Sequence, residues 1–475
     1  MSDDATASQE AQLARLVAVY PIADELGDRF ARHGHELYLV GGTVRDTLLR
    51  GPGAQDLDFA TSARPDETQR IVAGWADAVW LTGARFGTIS ARKAEYQLEI
   101  TTFRSDAYLS GSRHPQVTYG DSIQEDLSRR DFTINAMAVR VPDHVFVDPH
   151  GGLSDLAEGA LRTPSDPETS FGDDPLRMVR LARFAAVIDV RPDDEVAKAA
   201  AAMAERLDEI SRERIRDELD KLIVGAHVAR GVDLLVDTGL ADRFLPEVAA
   251  LRMQHDPVHH HKDVYKHSLA VVERCPADDR VLRLAALLHD IGKPATRQFH
   301  EGGKVSFHHH EVVGARMARA RLSELRYPKD EIEAICHLIA LHLRFHGYAD
   351  EPWTDSGVRR YVRDAGDDTA LRRLNRLTRA DVTTRNRRKA QRLQEAMDDL
   401  EARIAGLREQ EALEAIRPPL DGNQIMRHLG LDPGPAVGRA RDMLLEARLD
   451  RGPISEEEAY ALLDAWEASG GADSQ

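Results

Sequence analysis

Cysteine is nearly absent from this chain: Cys275 and Cys336 are the only two in 475 residues. Two thiols give neither a disulfide framework nor a zinc-finger spacing, which fits a reducing compartment. Long hydrophobic runs are missing as well. Nothing approaches the roughly 18 apolar residues of a membrane span, and the stretch from Met1 to Gln12 is polar and acidic, without the apolar centre of a secretory signal. The expectation is a cytoplasmic protein with no membrane partner. Positive charge is also in deficit, with a net charge of −17, which taken alone argues mildly against nucleic acid. Local distribution matters more. Between Arg372 and Arg392 lie Arg373, Arg376, Arg379, Arg385, Arg387, Arg388 and Lys389, with only Asp381 as a counter-charge. The length is too great for one core and fits about three or four domains.

What is present is more specific. Gly41-Gly42-Thr43-Val44-Arg45-Asp46 follows a strand-like run, Glu36 to Val40, and opens a helix-like one. Its unpaired backbone N–H groups and Arg45 can hold a phosphate chain. Asp56 and Asp58 follow in a strand-like stretch, and a spacing of two points both carboxylates to one face. Such a pair holds Mg²⁺. A phosphate cradle beside metal carboxylates is the layout of nucleotidyl transfer, in which metal ions clamp the attacking hydroxyl and the leaving pyrophosphate.

Further blocks are Phe86-Gly87-Thr88, Glu99 to Arg104, Arg113-His114-Pro115, Asp126 to Ala136, and Asp173-Asp174-Pro175-Leu176-Arg177 running on to Arg183-Phe184. With the glycine turn and the Asp pair, they make the chain similar, from about residue 20 to about 465, to the class II tRNA nucleotidyltransferase and poly(A) polymerase family. The resemblance implies an α+β fold. A polymerase-beta-like nucleotidyltransferase head spans 20–165 and a helical neck 166–245. An HD metal-dependent phosphohydrolase-like domain spans 246–400, and a helical tRNA-binding segment 401–470. The pattern agrees: short β-branched and aromatic runs alternate with turns from Leu37 to Asp148, whereas from Pro175 onward the periodicity is helical and the remainder reads as all-helical.

The family's third carboxylate falls on Glu99, although Glu95 is nearby and a partner for Arg104 would look the same in sequence. The resemblance places Arg130, Asp131 and Asn135 around the triphosphate and sugar, with Gly41, Gly42, Arg45, Arg180 and Arg183 also on the nucleotide. Asp174 and Arg177 lie three apart on what reads as a helix, so they share a face. A carboxylate only accepts hydrogen bonds and a guanidinium only donates. Cytosine and adenine present an amine donor beside a ring acceptor, and uracil and guanine the reverse. Such a pair would therefore accept C and A and repel U and G, which matches the protein-template role the resemblance implies. The alternative is an i, i+3 helix salt bridge.

His267, His289-Asp290 within the apolar frame Leu284 to Ile291, His310 and Asp381 resemble the HD superfamily, with His342 completing a second metal site beside His310. Imidazole and carboxylate ligands suit Mn²⁺, Ni²⁺ or Fe²⁺. His337 would face elsewhere on a helix, and His259-His260-His261 reads as a solvated loop. The combined expectation is template-independent addition of CCA to tRNA from CTP and ATP, with Mg²⁺ in the head and possible phosphohydrolase activity in the HD domain. Poly(A) addition is the alternative. Beside such a head the basic stretch Arg385, Arg387, Arg388 and Lys389 is expected to track RNA phosphates. No obligatory protein partner is implied.

Overall fold

The computed structural model describes residues 20–51, 53–105, 118–253, 263–301, 304–348, 353–383, 386–411 and 418–471. Arg113-His114-Pro115, His259-His260-His261 and Arg385 lie outside the described residues. The chain divides into two compact units, Met1–Phe244 and Leu245–Gln475.

The first unit is organised by a sheet of seven strands: β1 (Leu37–Val40), β2 (Asp56–Thr61), β3 (Ala78–Trp80), β4 (Thr88–Lys93), β5 (Tyr96–Thr102), β6 (Ala138–Val141) and β7 (Val145–Val147), in the order β3-β4-β5-β2-β1-β6-β7. Only β2 and β5 pair in parallel. Strand alternation sorts the side chains. Leu37, Leu39, Leu57, Phe59, Ile89, Leu98, Ile100 and Val139 face one core, against Leu26 and Phe30 of the helix Pro21–Arg32 and Ile71 of the helix Pro65–Val72. Truncating one of its aromatics, such as Phe59→Ala, would cost about 3 to 5 kcal/mol. Gly27 lets the first helix lie on β6, since a Cβ there would come within 2.7 Å of the Val141 backbone. The opposite face carries Tyr38, Val40 and Ala60, covered by Phe103, Ile123 and Leu127. On β2 and β5 that face carries Asp56, Asp58 and Glu99.

Past the sheet the unit is helical, as the periodicity requires: Pro167–Asp173, Leu176–Val187, Asp194–Ala202, Arg212–Ile223 and Val228–Asp237. Asp166, Asp193 and Ser211 each cap a helix by accepting a first-turn N–H.

In the second unit the helix Arg280–Leu288 is buried along Leu282 to Leu288 and delivers His289 to the interior. Around it stand the helices Val264–Arg274, His310–Glu324, Lys329–Leu341 and Asp368–Asp381. One departure from an all-helical reading is a short hairpin, Gln298–His300 with Lys304–Ser306; in the first unit Ala160–Leu161 also pairs with Arg191–Pro192. Runs of three residues or fewer are too short for period-two alternation to register. The last three helices, Gly422–Leu429, Pro435–Arg451 and Glu456–Ala468, enclose a core of their own around Ile425, Leu444 and Leu463. Among the described residues no helix is long and apolar enough to cross a membrane.

Candidate active sites

At the end of β1 the chain turns through Gly41, φ 67 and ψ −131, into the helix Gly42–Arg50. The backbone conformation requires glycine here. The backbone lies in the left-handed half of φ space, and a Cβ would meet Arg130 Nη1 at 2.7 Å and Asp58 Oδ2 at 4.0 Å. The Gly41 amide itself donates to Met137 O at 3.3 Å, so the phosphate cradle expected at both glycines begins at Gly42, where the first-turn amides have no intrahelical acceptor. Thr43 ties this turn to the carboxylates. Its hydroxyl accepts from the Asp58 amide at 3.1 Å and donates to the Asp56 carbonyl at 3.4 Å.

Strand register distinguishes the two candidates for a third carboxylate by position. Asp58 lies directly across from Glu99 and Asp56 from Gln97, whereas Glu95 sits in the turn between β4 and β5. Burial, then the Glu99 charge, push Asp58 up to about 6, with Asp56 adding to the rise and Arg130 and Arg45 opposing it. Three like charges on one face create a place where added positive charge is favourable.

The arginines form one connected network. Arg45 donates through Nε and Nη2 to Asp46 at 2.8 and 2.9 Å and through Nη1 to Asn135 Oδ1, and its guanidinium lies 5.1 Å over Phe184. Asn135 Nδ2 in turn donates to Asp131 Oδ1 at 2.9 Å, and Arg180 Nε to Asp131 Oδ2 at 2.8 Å. Burial alone would raise Asp131; Arg180 and these hydrogen bonds outweigh it and hold the carboxyl below its usual range. Arg183 stacks on Phe184 at 4.2 Å and pairs with buried Glu218 at 3.0 Å, and burial beside Arg180 lowers it to about 10. Arg45, Arg130, Asp131, Asn135, Arg180 and Arg183 are thus brought together.

Asp174 and Arg177 are placed differently from the expectation. Asp174 is not helical: it ends the helix Pro167–Asp173 with φ −142, ψ 98, and Pro175 precedes the next helix. The residue before proline is disfavoured in α geometry, which is the physical reason. Nor do the two side chains pair. Asp174 Oδ2 accepts from Arg214 Nη2 at 2.9 Å, while Arg177 donates to Ser170 Oγ at 2.8 Å and to Arg129 O at 2.5 Å. Both remain half-buried at the head of the helix Leu176–Val187.

In the second unit His267, His289, Asp290, His310, His342 and Asp381 converge. His267 Nε2 is 2.9 Å from Asp381 Oδ1 and 3.3 Å from His289 Nε2. Asp290 reaches both ends, with Oδ2 3.3 Å from His289 Nε2 and Oδ1 3.3 Å from His310 Nε2 and 3.9 Å from His342 Nε2. Two ligand triads result, His267-His289-Asp290 and Asp290-His310-His342. Each ring is oriented from behind. The Nδ1 atoms of His289, His310 and His342 lie 2.7 Å from the carbonyls of Ala286, Phe307 and Ile339, and His267 Nδ1 lies 2.7 Å from Thr383 Oγ1. A carbonyl at Nδ1 fixes the tautomer and leaves Nε2 as a lone-pair donor. Burial, with His289 beside it, pushes His342 down to about 3, so it stays neutral. Among the described residues Asp290 Oδ1 and His310 Nε2 are buried without a hydrogen-bond partner, as a metal-ligand pair would be. Gly292 permits the close packing, since a Cβ there would lie 2.2 Å from His310 O. His337 faces away, with Nε2 3.0 Å from Ala365 O.

Comparison with known proteins follows these two centres. Residues 37–162 match the poly A polymerase head domain, 189–251 the probable RNA and SrmB-binding site of polymerase A, and 258–407 the HD domain. An A-adding tRNA nucleotidyltransferase of Deinococcus radiodurans is 33% identical over 440 residues, covering 90% of this chain and 95% of that protein. The chain belongs to the tRNA nucleotidyltransferase and poly(A) polymerase family. A CCA-adding enzyme of Geobacillus thermodenitrificans is 40% identical over 220 residues, 46% of this chain and 52% of that protein, so the chain matches about half the length of such relatives. The crystal structure of the Bacillus stearothermophilus CCA-adding enzyme in complex with CTP superimposes with a TM-score of 0.69 at 25% identity, covering 96% of this chain and all of that one. Nucleotidyltransferase and HD domains of this family use divalent metal ions, and the donor sets above suit that use.

Several members of the site were not read from sequence. Thr43, Arg214 and Glu218 act through tertiary contacts that leave no local pattern. Lys293 did leave one: its Nζ lies 2.6 Å from Asp290 Oδ2, three residues on, the spacing of one helical turn. The basic stretch is less bare than its sequence. Arg373 pairs with Asp279 at 2.9 Å, and Arg379 with Asp398 and Glu401 at 2.7 Å each. Arg387, Arg388 and Lys389 are exposed at the start of the helix Arg387–Glu411.

Proposed function

We propose that the chain completes the 3′ end of tRNA, adding CCA from CTP and ATP with release of pyrophosphate. One observation carries the reading: Asp56, Asp58 and Glu99 stand on one sheet face at the foot of the glycine turn, in a chain related over nine-tenths of its length to a tRNA nucleotidyltransferase. Asp56 and Asp58 are the residues that would hold Mg²⁺, with Glu99 across from them. Bound there, the ion would supply neutralising charge to the α-phosphate and activate the terminal hydroxyl. The amides from Gly42 onward, Arg130 and the remaining Arg45 donors hold the β and γ phosphates. Asp131 and Asn135 fix the arginines and border the sugar. Asp174 and Arg177 face the base from separate supports, Arg214 on one side and Ser170 with the Arg129 carbonyl on the other, so their donor–acceptor order is set without a salt bridge between them. The neck, residues 166–245, carries this selector. The exposed Arg387, Arg388 and Lys389 contact RNA phosphates, together with Arg385, as does the segment 401–470.

In the HD domain His267, His289, Asp290, Asp381, His310 and His342 would hold Mn²⁺, Ni²⁺ or Fe²⁺ and hydrolyse phosphoesters such as 2′,3′-cyclic nucleotides. A second reading of the head, addition of A alone, is favoured by the full-length likeness to an A-adding enzyme. Poly(A) addition is the third. Incubation with tRNA lacking CCA, tRNA ending in CC and an unrelated RNA, each with CTP or ATP alone, separates them: CTP incorporation on the first substrate supports CCA addition, ATP incorporation only on the second supports A addition, and long A tails on any RNA support the third.

A further inference from the structure

Arg104 has no role in the reading above, yet its surroundings are specific. It stands two residues past β5 in a two-residue strand, Arg104–Ser105, paired with Thr118–Tyr119. Glu99 is not its partner. Arg104 Nη2 donates to Thr88 Oγ1 at 3.1 Å, and that hydroxyl lies 3.0 Å from Thr101 Oγ1. Its backbone N–H donates to Asp126 Oδ1 at 3.3 Å, while the other oxygen of Asp126 accepts from Arg130 Nη2 at 3.1 Å. Among the described residues Arg104 Nε is buried with no hydrogen-bond partner. Gly87, at φ 85, packs beside it: a Cβ there would lie 3.1 Å from Tyr119 Cε1 and 3.7 Å from that nitrogen, so the Tyr119 ring borders the approach to Nε. Burial, with Arg129 and Arg130 nearby, disfavours the charged guanidinium, and Asp126 only partly offsets this. A buried donor without an acceptor, in a positive neighbourhood, is an arrangement that an anion would complete.

The strand register says which anion. Glu99 pairs with Asp58, and Thr101, two residues further along β5, pairs with Thr88, so the threonine pair lies roughly 7 Å beyond the carboxylates along the strand. The glycine turn lies toward the other end, by Asp56. In-line displacement places the attacking hydroxyl opposite the leaving pyrophosphate. With the triphosphate on the glycine side, the acceptor strand comes in over the threonine pair.

We propose that Arg104 is an acceptor-binding residue: its Nε–H holds the phosphodiester on the 5′ side of the terminal tRNA nucleotide and so fixes the 3′ hydroxyl over Asp58 and Glu99. The proposal rests on the nucleotidyl-transfer reading of the head. The test is a chemical double-mutant cycle on the full chain, with tRNA carrying either a normal or a methylphosphonate last linkage. Arg104→Gln is expected to raise the KM for normal tRNA about tenfold or more while leaving the KM for the nucleotide unchanged. The methylphosphonate should impose a similar loss on the wild type and little further loss on the variant, and Arg104→Lys should recover part. A raised nucleotide KM, or a methylphosphonate penalty as large in Arg104→Gln as in the wild type, would overturn the assignment. If Arg104→Gln does not fold, Thr88→Val, which removes the Nη2 anchor and keeps the charge, carries the same cycle with the same two readouts. A wild-type chain that fails to extend normal tRNA would overturn the head reading and this proposal with it; normal extension with independent penalties overturns the Arg104 assignment alone.

Discussion

Asp56, Asp58 and Glu99 lie at the surface of a sheet, whereas His289, Asp290, His310 and His342 are sunk among helices. The first group is aligned by strand period and register alone. Burial, then the charge of Glu99, raises Asp58 to about 6, and Arg130 and Arg45 only partly offset this. The second group is aligned from behind by backbone carbonyls at Nδ1, so its donors are in place before any ion arrives. An open set of oxygen donors fits an ion that exchanges with each substrate, and a pre-oriented imidazole set fits one that stays. On the proposed reading, the two units would divide the labour as a turnover site and a resident metal centre.

The sharpest way to break this comparison is to remove the head carboxylates. Asp56→Ala or Asp58→Ala should lower nucleotide addition by about a thousandfold or more while leaving tRNA affinity in filter binding and HD metal content unchanged. Retention of more than a few per cent of the activity by both variants would defeat the assignment. Next, His289→Ala combined with Asp290→Ala should remove the tightly held metal measured by elemental analysis and any activity on 2′,3′-cyclic nucleotides, with CCA addition kept within about twofold, since the ligand sets share no residue. Parallel loss of both activities in a folded variant would mean that the centres are coupled.

Smaller effects sharpen the picture. Arg177→Ala should cost about tenfold in discrimination against UTP and GTP, and Asp174→Ala should slow CTP and ATP through an unpaired base amine. The check is kcat/KM for all four nucleotides, and equal slowing of each would leave base selection elsewhere. Neutralising Arg387, Arg388 and Lys389 should flatten the salt dependence of tRNA binding by roughly 0.7 to 0.9 log units of slope per lost contact. An unchanged slope would make the stretch a solvated helix face.

The same contrast explains what could be read from sequence. Gly41-Gly42, Asp56 and Asp58 were legible because turn and strand period are local, and His289-Asp290 stood out inside an apolar helix. The opposition of Glu99 to Asp58 depends on strand register, which sequence alone left open between Glu99 and Glu95. Asp174 was misplaced onto a helix although Pro175 carried the signal against it. The counter-charges of the basic stretch, Asp279 at a helix N-cap far along the chain and Asp398 and Glu401 beyond Arg392 on the helix Arg387–Glu411, lie outside it in sequence, so a count within the stretch could not include them.

The measurement that bears most directly on the division of labour follows one tRNA, ending before its CCA, at single-nucleotide resolution with all four nucleoside triphosphates present, using the wild type after prolonged chelation followed by removal of the chelator. The account predicts no product until Mg²⁺ is restored, then addition of C, C and A with no UTP or GTP used, without any transition metal being resupplied. Extension that returns only with Mn²⁺, Ni²⁺ or Fe²⁺, or products other than CCA, would contradict it.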